Sequence, residues 1–308
     1  GFSFFFHRIG EGFADSDDRD RQLLVAASPH DQVADTHWYR PEFDQALVDE
    51  AMRAGAIYVD ETAIHEVRVE SGRMRLEGGR HGRSVVIDAG FVIDAGGPRG
   101  LLSSVMGGGS APLQWLPPTQ GLYTHFNDVS EWAGMRPSDG TPPYPPDDAA
   151  LHHVFPGGWI WMLRFNNGIT SAGAAVTDSV AAQIGASDGA PAWQRLLDRL
   201  PSVRDQFRDA RPALPFIHAP RVAYRSRQVA GSAWALLPSA AGVIDPLLST
   251  GFPLTLLGLT RLLEILETTS PGSSRDAALS GYAKDTQDEL DVTEQLVAAL
   301  YANMETPA

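Results

Sequence analysis

Trp234-Ala235-Leu236-Leu237-Pro238-Ser239-Ala240-Ala241-Gly242-Val243-Ile244-Asp245-Pro246-Leu247-Leu248-Ser249-Thr250-Gly251-Phe252 is the stretch on which the fold turns. An apolar strand gives way to small residues. A turn then presents Ser-Thr-Gly ahead of a long apolar pattern, Pro253 to Glu267, that reads as a helix. Backbone amides at a helix N-terminus, with the dipole behind them, suit an anion or a polarised carbonyl. Ser and Thr at such a place equally serve as an ordinary N-cap. Taken alone, the segment leaves both readings open.

Upstream, Phe91-Val92-Ile93-Asp94-Ala95-Gly96-Gly97-Pro98-Arg99-Gly100 has a similar build: a buried strand that ends in Asp and small residues. Glycine there lets a backbone or a ligand approach closely, and it equally suits a tight turn with no ligand. The remaining elements follow from periodicity. Phe2 to Phe6 reads as a buried strand, with a second near Leu23 to Ala27. Pro41, with Phe43, Leu47 and Ala51 at helical spacing and Gly55 as a stop, predicts a helix. Ala56 to Val59 predicts a strand, and Ala63 to Val69 with Met74 to Leu76 predicts a hairpin about Ser71-Gly72. The Pro-rich run Pro137 to Pro146 predicts a surface loop.

His152 to Phe155, Trp159 to Phe165 and Ile169 to Val176 predict a β-meander, with Asn167-Gly168 as a tight turn. Trp159, Trp161, Leu163 and Phe165 alternate onto one face, and Ile160, Met162 and Arg164 onto the other. Adjacent His152 and His153 point to opposite faces, so one is expected in the core and one at the surface. Trp193, Leu196, Leu197 and Leu200 make an apolar helix stripe, and Ser273 to Met304 reads as an amphipathic helix with acidic faces.

Composition removes whole classes of function. The chain carries a formal net charge of −14, whereas nucleic-acid binding needs a basic face to neutralise phosphates, so no nucleic-acid partner is expected. With no cysteine, disulfides, thiolate nucleophiles and Cys-based metal sites are excluded. No run of about 18 uncharged apolar residues appears, so no membrane span is expected, and the location is read as cytoplasmic. Histidines show no His-x-x-x-His spacing. Lys284 is the one lysine, on the acidic tail helix, where a solvated role is expected.

Four pieces in order carry a resemblance. Tyr39-Arg40-Pro41-Glu42-Phe43-Asp44-Gln45-Ala46-Leu47 resembles the Arg-x-x-Phe-Asp-x-x-Leu helix of the flavin-dependent halogenase and FAD monooxygenase family. Ile93-Asp94-Ala95-Gly96-Gly97 is similar to its Asp-Ala-x-Gly turn, and Trp159-Ile160-Trp161 to its Trp-x-Trp strand. Asp245-Pro246-Leu247-Leu248-Ser249-Thr250-Gly251 is similar to its Pro-x-x-Ser-Thr-Gly loop beside the flavin. The resemblance implies an α/β (α+β) chain of the p-hydroxybenzoate hydroxylase type. Its FAD-binding domain is built of non-contiguous pieces, with an inserted antiparallel β-sheet substrate domain. On that reading residues 1–100 are a partial FAD-binding domain with a β-hairpin and 101–230 are the substrate domain. Residues 231–270 are the flavin-side loop and helix, and 271–308 a helical tail.

The same resemblance implies FAD as cofactor, a small, largely apolar organic substrate, and a flavin reductase as a partner. Thr250 and Gly251 would meet the flavin, with Ser249, Pro246 and Ser239 nearby. Asp94, Gly96, Gly97 and Arg40 would be further cofactor contacts, and Trp159 and Trp161 would line the substrate pocket. There are departures. No Gly-x-Gly-x-x-Gly follows a strand, so the N-terminal dinucleotide-binding unit is expected to be missing. The Trp-x-Trp strand continues Met162-Leu163-Arg164 where the halogenases have x-Ile-Pro, and Leu248 stands where tryptophan halogenases carry Glu. A non-catalytic fragment or small-molecule-binding protein that cannot hold FAD is the alternative reading.

Overall fold

A computed structural model describes residues 1–13, 21–25, 36–70, 72–106, 108–135 and 144–304. The chain opens with strands β1 (Phe2–Phe6) and β2 (Gln22–Val25) and helix α1 (Arg40–Arg53). A meander follows, β3 (Thr62–Glu70), β4 (Arg73–Arg80) and β5 (Arg83–Ala89), then β6 (Val92–Asp94) and α2 (Leu101–Val105). Next come β7 (Thr119–Asn127), α3 (Trp132–Met135), β8 (Ala150–Phe155), β9 (Gly158–Arg164) and β10 (Thr170–Thr177). Helices α4 (Asp178–Ile184), α5 (Ala190–Asp198) and α6 (Pro201–Gln206) lead to β11 (Arg211–Pro212), β12 (Ile217–Ala219), β13 (Tyr224–Arg225), β14 (Ala230–Gly231) and β15 (Trp234–Leu236). After α7 (Pro238–Ala241) and β16 (Gly242–Val243), helices α8 (Gly251–Thr268) and α9 (Ser273–Met304) complete the described chain.

Packing divides the chain into two compact units. Unit one is Gly1–Arg53, Pro117–Val222 and Leu300–Ala308; unit two is Ala54–Leu116 and Ala223–Ala299. These units are cut at other points than the functional segments expected from the sequence. The difference arises because β1 pairs in parallel with β8, across a long sequence gap (Phe2↔Ala150 to Phe6↔Val154).

Unit one is built on one mixed sheet in the order β11-β7-β10-β9-β8-β1-β2, with β12 also on β7. The predicted meander is present, and its alternation places Leu122, Phe126, Ile160, Met162, Ala172 and Ala174 in one core with Trp193, Leu196, Leu197 and Leu200. The stripe on α5 is thus buried, and its apolar area is what holds the helix layer to the sheet. Both His152 and His153 are buried, a correction to the expected core-and-surface split. His153 lies on the core face. His152, on the other face, is covered by Phe4, stacked at 4.6 Å, and by Trp159 at 5.3 Å.

Unit two holds the β3-β4-β5 meander, the parallel pair β6/β15 with β14, the small pair β13/β16, and α8 with most of α9. The predicted hairpin forms, with Gly72 at φ +76; Ser71 lies outside the described residues. The strand expected at Ala56 to Val59 does not form. Every residue from 54 to 60 is exposed, Ile57 at 90%, and the segment pairs with no strand among the described residues. An apolar run needs a neighbouring edge to become a strand, and periodicity does not supply one. Residues 26 and 27 of the second predicted strand lie outside the described residues, as does most of the predicted loop at 137–146.

Candidate functional site

The two segments singled out in the sequence lie side by side in unit two. β6 and β15 run parallel in the register Val92↔Trp234, Ile93↔Ala235 and Asp94↔Leu236. The amide of Leu237 donates to the Asp94 carbonyl at 2.9 Å, so both strands end at one level and both turns leave from it.

Asp94 holds the first turn together. One carboxylate oxygen accepts from the Gly96 amide at 2.6 Å and the other from the Leu102 amide at 2.8 Å. A Cβ at Gly100 would lie 2.7 Å from that carboxylate, and one at Gly96 2.9 Å from it, so the glycines make room for Asp94 itself. Its carboxylate is therefore directed at the protein's own backbone, at the start of a short helix where negative charge is favourable. Gly97 follows at φ +66, in the left-handed region.

The second turn is braced from behind. Ser239, half-buried on α7, has its carbonyl bonded by the Tyr224 hydroxyl. Burial, with the Asp94 carboxylate in support, pushes the Tyr224 phenol well above its ordinary range. Tyr282 donates to the Leu236 carbonyl at 2.6 Å, and its phenol is likewise raised by burial. α8 presses against α7 so closely that a Cβ at Gly258 would lie 2.3 Å from Pro238 Cγ.

Then comes the loop. Asp245 is buried, and its carboxylate accepts from the Leu247 amide at 3.0 Å. Leu247 is fully buried beneath a single turn over Pro246–Leu248. Ser249 donates its amide to the Pro246 carbonyl at 3.0 Å and takes φ +53, uncommon for a residue with a side chain. Thr250 precedes the 18-residue helix α8 and makes no side-chain cap hydrogen bond, so the ordinary N-cap reading is not what is found. Gly251 is exposed, and among the described residues no atom beyond its chain neighbours and its own helix backbone lies within 4 Å of where its Cβ would be. The start of α8 is thus fixed at the rear and open at the front.

The other predicted residues lie in unit one. Arg40 is exposed on α1 and paired with Asp44 at 2.6 Å. Trp159 is 1% exposed, and its indole N–H donates to the Tyr301 hydroxyl at 2.9 Å. Trp161 is half-buried, its ring 5.8 Å from that of Tyr123. Lys284, in unit two, is exposed and paired with Asp288, as the tail-helix reading expects.

Several residues escaped the sequence reading. Glu294, fully buried, accepts with one oxygen from three successive amides, Gln114 at 2.6 Å, Trp115 at 2.7 Å and Leu116 at 3.2 Å. Arg225, also buried, bonds Gln287 and Asp291 and stands 3.7 Å from the second Glu294 oxygen. In unit one, His7 Nε2 meets His153 Nδ1 at 2.9 Å, and His153 Nε2 meets the Gln206 side-chain oxygen at 2.9 Å. Gln206 donates onward to the Ser130 carbonyl at 3.1 Å, which assigns the proton on His153 to Nε2. Burial pulls His153 down to about 3 and His152 down to about 4. Nothing in the local sequence announces such pairs, because the partners are far apart along the chain. Among the described residues no cluster of three or more His, Asp or Glu could hold a metal ion, and no helix is long and apolar enough to cross a membrane.

Comparison with known proteins agrees with this architecture. The chain is 27% identical over 263 residues to monodechloroaminopyrrolnitrin halogenase PrnC of Pseudomonas fluorescens, covering 81% of this chain and 44% of that protein. It is 27% identical over 259 residues to tetracycline 7-halogenase of Kitasatospora aureofaciens, covering 81% and 45%. Halogenase PltM, crystallised with phloroglucinol and FAD, superposes with a TM-score of 0.85 at 24% identity, over 99% of this chain and 60% of that one. The chain thus spans under half the length of these two curated relatives. Residues 25–307 match the tryptophan halogenase family, and the chain belongs to that family.

Proposed function

We propose that this chain forms the body of an FAD-dependent, halogenase-like oxidoreductase acting on a small, largely apolar organic substrate. The observation that carries the reading is the start of α8: a helix N-terminus braced from behind and open at Gly251. Thr250 and Gly251 would hold the pyrimidine edge of the flavin through backbone groups, with Ser249, Pro246 and Ser239 around them. Asp94, Gly96 and Gly97 would act by shaping the neighbouring turn, and Arg40 is a further cofactor contact on this reading. Trp161, with Trp159 packed behind it, would belong to the wall of the substrate pocket in segment 101–230. Bound FAD supplies the redox chemistry, and the chain's part is to orient the ring and exclude water. A separate flavin reductase would deliver reducing equivalents, in a cytoplasmic setting.

The alternative is a small-molecule-binding protein that does not hold FAD. Titrating FAD into the chain, followed by quenching of flavin fluorescence, separates the two. Gly251→Val sharpens the result, because the fold has space for the added side chain and the ligand does not. The expected outcome is an unchanged melting curve with flavin affinity lowered at least about tenfold, the scale of one lost charge-assisted hydrogen bond. Equal flavin affinity in the variant and the parent removes α8 from the site.

A further inference from the structure

β7 sets Tyr123 and His125 two residues apart, so both project from the sheet face opposite Leu122, Thr124 and Phe126. Across the sheet, Tyr123 pairs with Gly173 and Gly173 with Trp161, while His125 pairs with Ser171 and Ser171 with Leu163. A Cβ at Gly173 would lie 2.2 Å from Tyr123 Cβ and 2.4 Å from the Trp161 ring. The bare glycine is what lets these two rings close over the strand. Beyond them, Phe165 stacks near His125 at 6.3 Å and 24°, and Tyr39 meets His125 edge-on at 6.0 Å. Tyr39 and Phe165 are themselves 5.3 Å apart. All five side chains are half-buried, and all lie in unit one.

Among the described residues, the His125 imidazole has ring contacts and no hydrogen bond. Burial lowers it from its ordinary value, so at neutral pH it is uncharged, with one donor and one acceptor nitrogen. The nearby cations are already engaged: Arg164 points to the other side, to the Val129 carbonyl at 2.7 Å and Asp147 at 3.3 Å, and Arg211, across from Asn127 at the strand end, is paired with Asp128. A flat ring would find aromatic walls, and a hydroxyl on it would find a polar atom that lacks one.

We infer that His125 determines specificity by hydrogen-bonding the hydroxyl of a phenol-class substrate, held between the Phe165/Tyr39 and Trp161/Tyr123 ring pairs. This deepens the halogenase-like reading and rests on it for the idea that the bound molecule is a substrate. A site that hydrogen-bonds a substrate hydroxyl discriminates against the analogue without it.

The test uses the full 308-residue chain with resorcinol and 1,3-dimethoxybenzene as probes, followed by ligand-observed NMR. Resorcinol is expected to bind about tenfold more tightly than the ether, the effect of one net hydrogen bond. His125→Phe should erase that preference and leave the ether's affinity in place. His125→Gln, which keeps a donor and an acceptor, should restore part of it. Phe165→Ala should weaken both probes. If His125→Phe melts early, His125→Leu judged by the same ratio decides. Equal affinities in the parent chain, no binding of either ring, or a preference that survives in His125→Phe each overturn the proposal. An FAD titration run alongside keeps the two readings apart. Lost flavin binding with the ring preference intact breaks the flavin assignment alone, and the reverse pattern breaks this one alone.

Discussion

The core of unit one and the α8 loop of unit two solve opposite problems. In the core, every surface is taken: Ile160, Leu196, Leu200 and Val203 are fully buried, and even polar His153 and Gln206 are sealed in and bonded to each other. In the loop, burial stops halfway. Asp245 and Leu247 are buried, while Ser249 and Gly251, two and four residues further on, are exposed. The first arrangement maximises stability. The second uses a buried base to hold exposed backbone in a conformation it would not keep alone, which is what preorganisation of a binding surface requires.

The largest expected break in this contrast is acid. His152 and His153 are neutral in the folded chain and would be charged when unfolded below about pH 6.5. The unfolded state then binds more protons, so stability falls as pH drops from about 6.5 towards 4, and it is unaffected by these groups above that window. Denaturant titrations at stepped pH should show proton uptake on unfolding, appearing first in hydrogen exchange of the β8 and β9 amides.

Next in size, Leu196→Ala should cost about 3 kcal/mol by leaving a cavity under the sheet, measured by denaturant unfolding. The α8 loop should keep its exchange behaviour in that variant. Asp94→Ala should cost about 2 kcal/mol through two lost amide bonds, with the loss confined to exchange in unit two. If it instead loosens the core strands of unit one, the division into two units is wrong. Smallest and opposite in sign, Ser249→Gly should stabilise the chain by less than about 1 kcal/mol, since glycine takes φ +53 without strain. A fall in melting temperature there would mean the serine side chain is needed.

What the sequence could show depended on the range of the contacts. The meander from 150 to 177 was legible because Asn167-Gly168 and strict alternation are local signals. The start of α8 was legible as a helix start, because a Ser-Thr-Gly turn leads there into an apolar helical pattern, while its use as cap or ligand site was left open. The β1/β8 pairing was not, since nothing in Phe2 to Phe6 names a partner near residue 150. Ala56 to Val59 misled because four apolar residues look alike with or without a neighbouring edge. The two-residue strands β11, β13, β14 and β16 are too short for any period. At the site, Asp94 was picked out as a cofactor contact, but its role in holding its own turn depended on Leu102, eight residues away. His125 gave no signal at all, because its neighbours Tyr39 and Phe165 converge only through the sheet.

Position 251 allows one more use. Selection normally entangles two demands, that a protein fold and that it work, and a tolerated-residue profile reports their product. With no atom of a described residue outside its own helix turn and chain neighbours within 4 Å of the Gly251 Cβ position, the folding demand there is close to silent. A saturation library at this single codon, sorted once for expression and once for activity, would return two profiles whose difference is an outline of whatever docks in front of it.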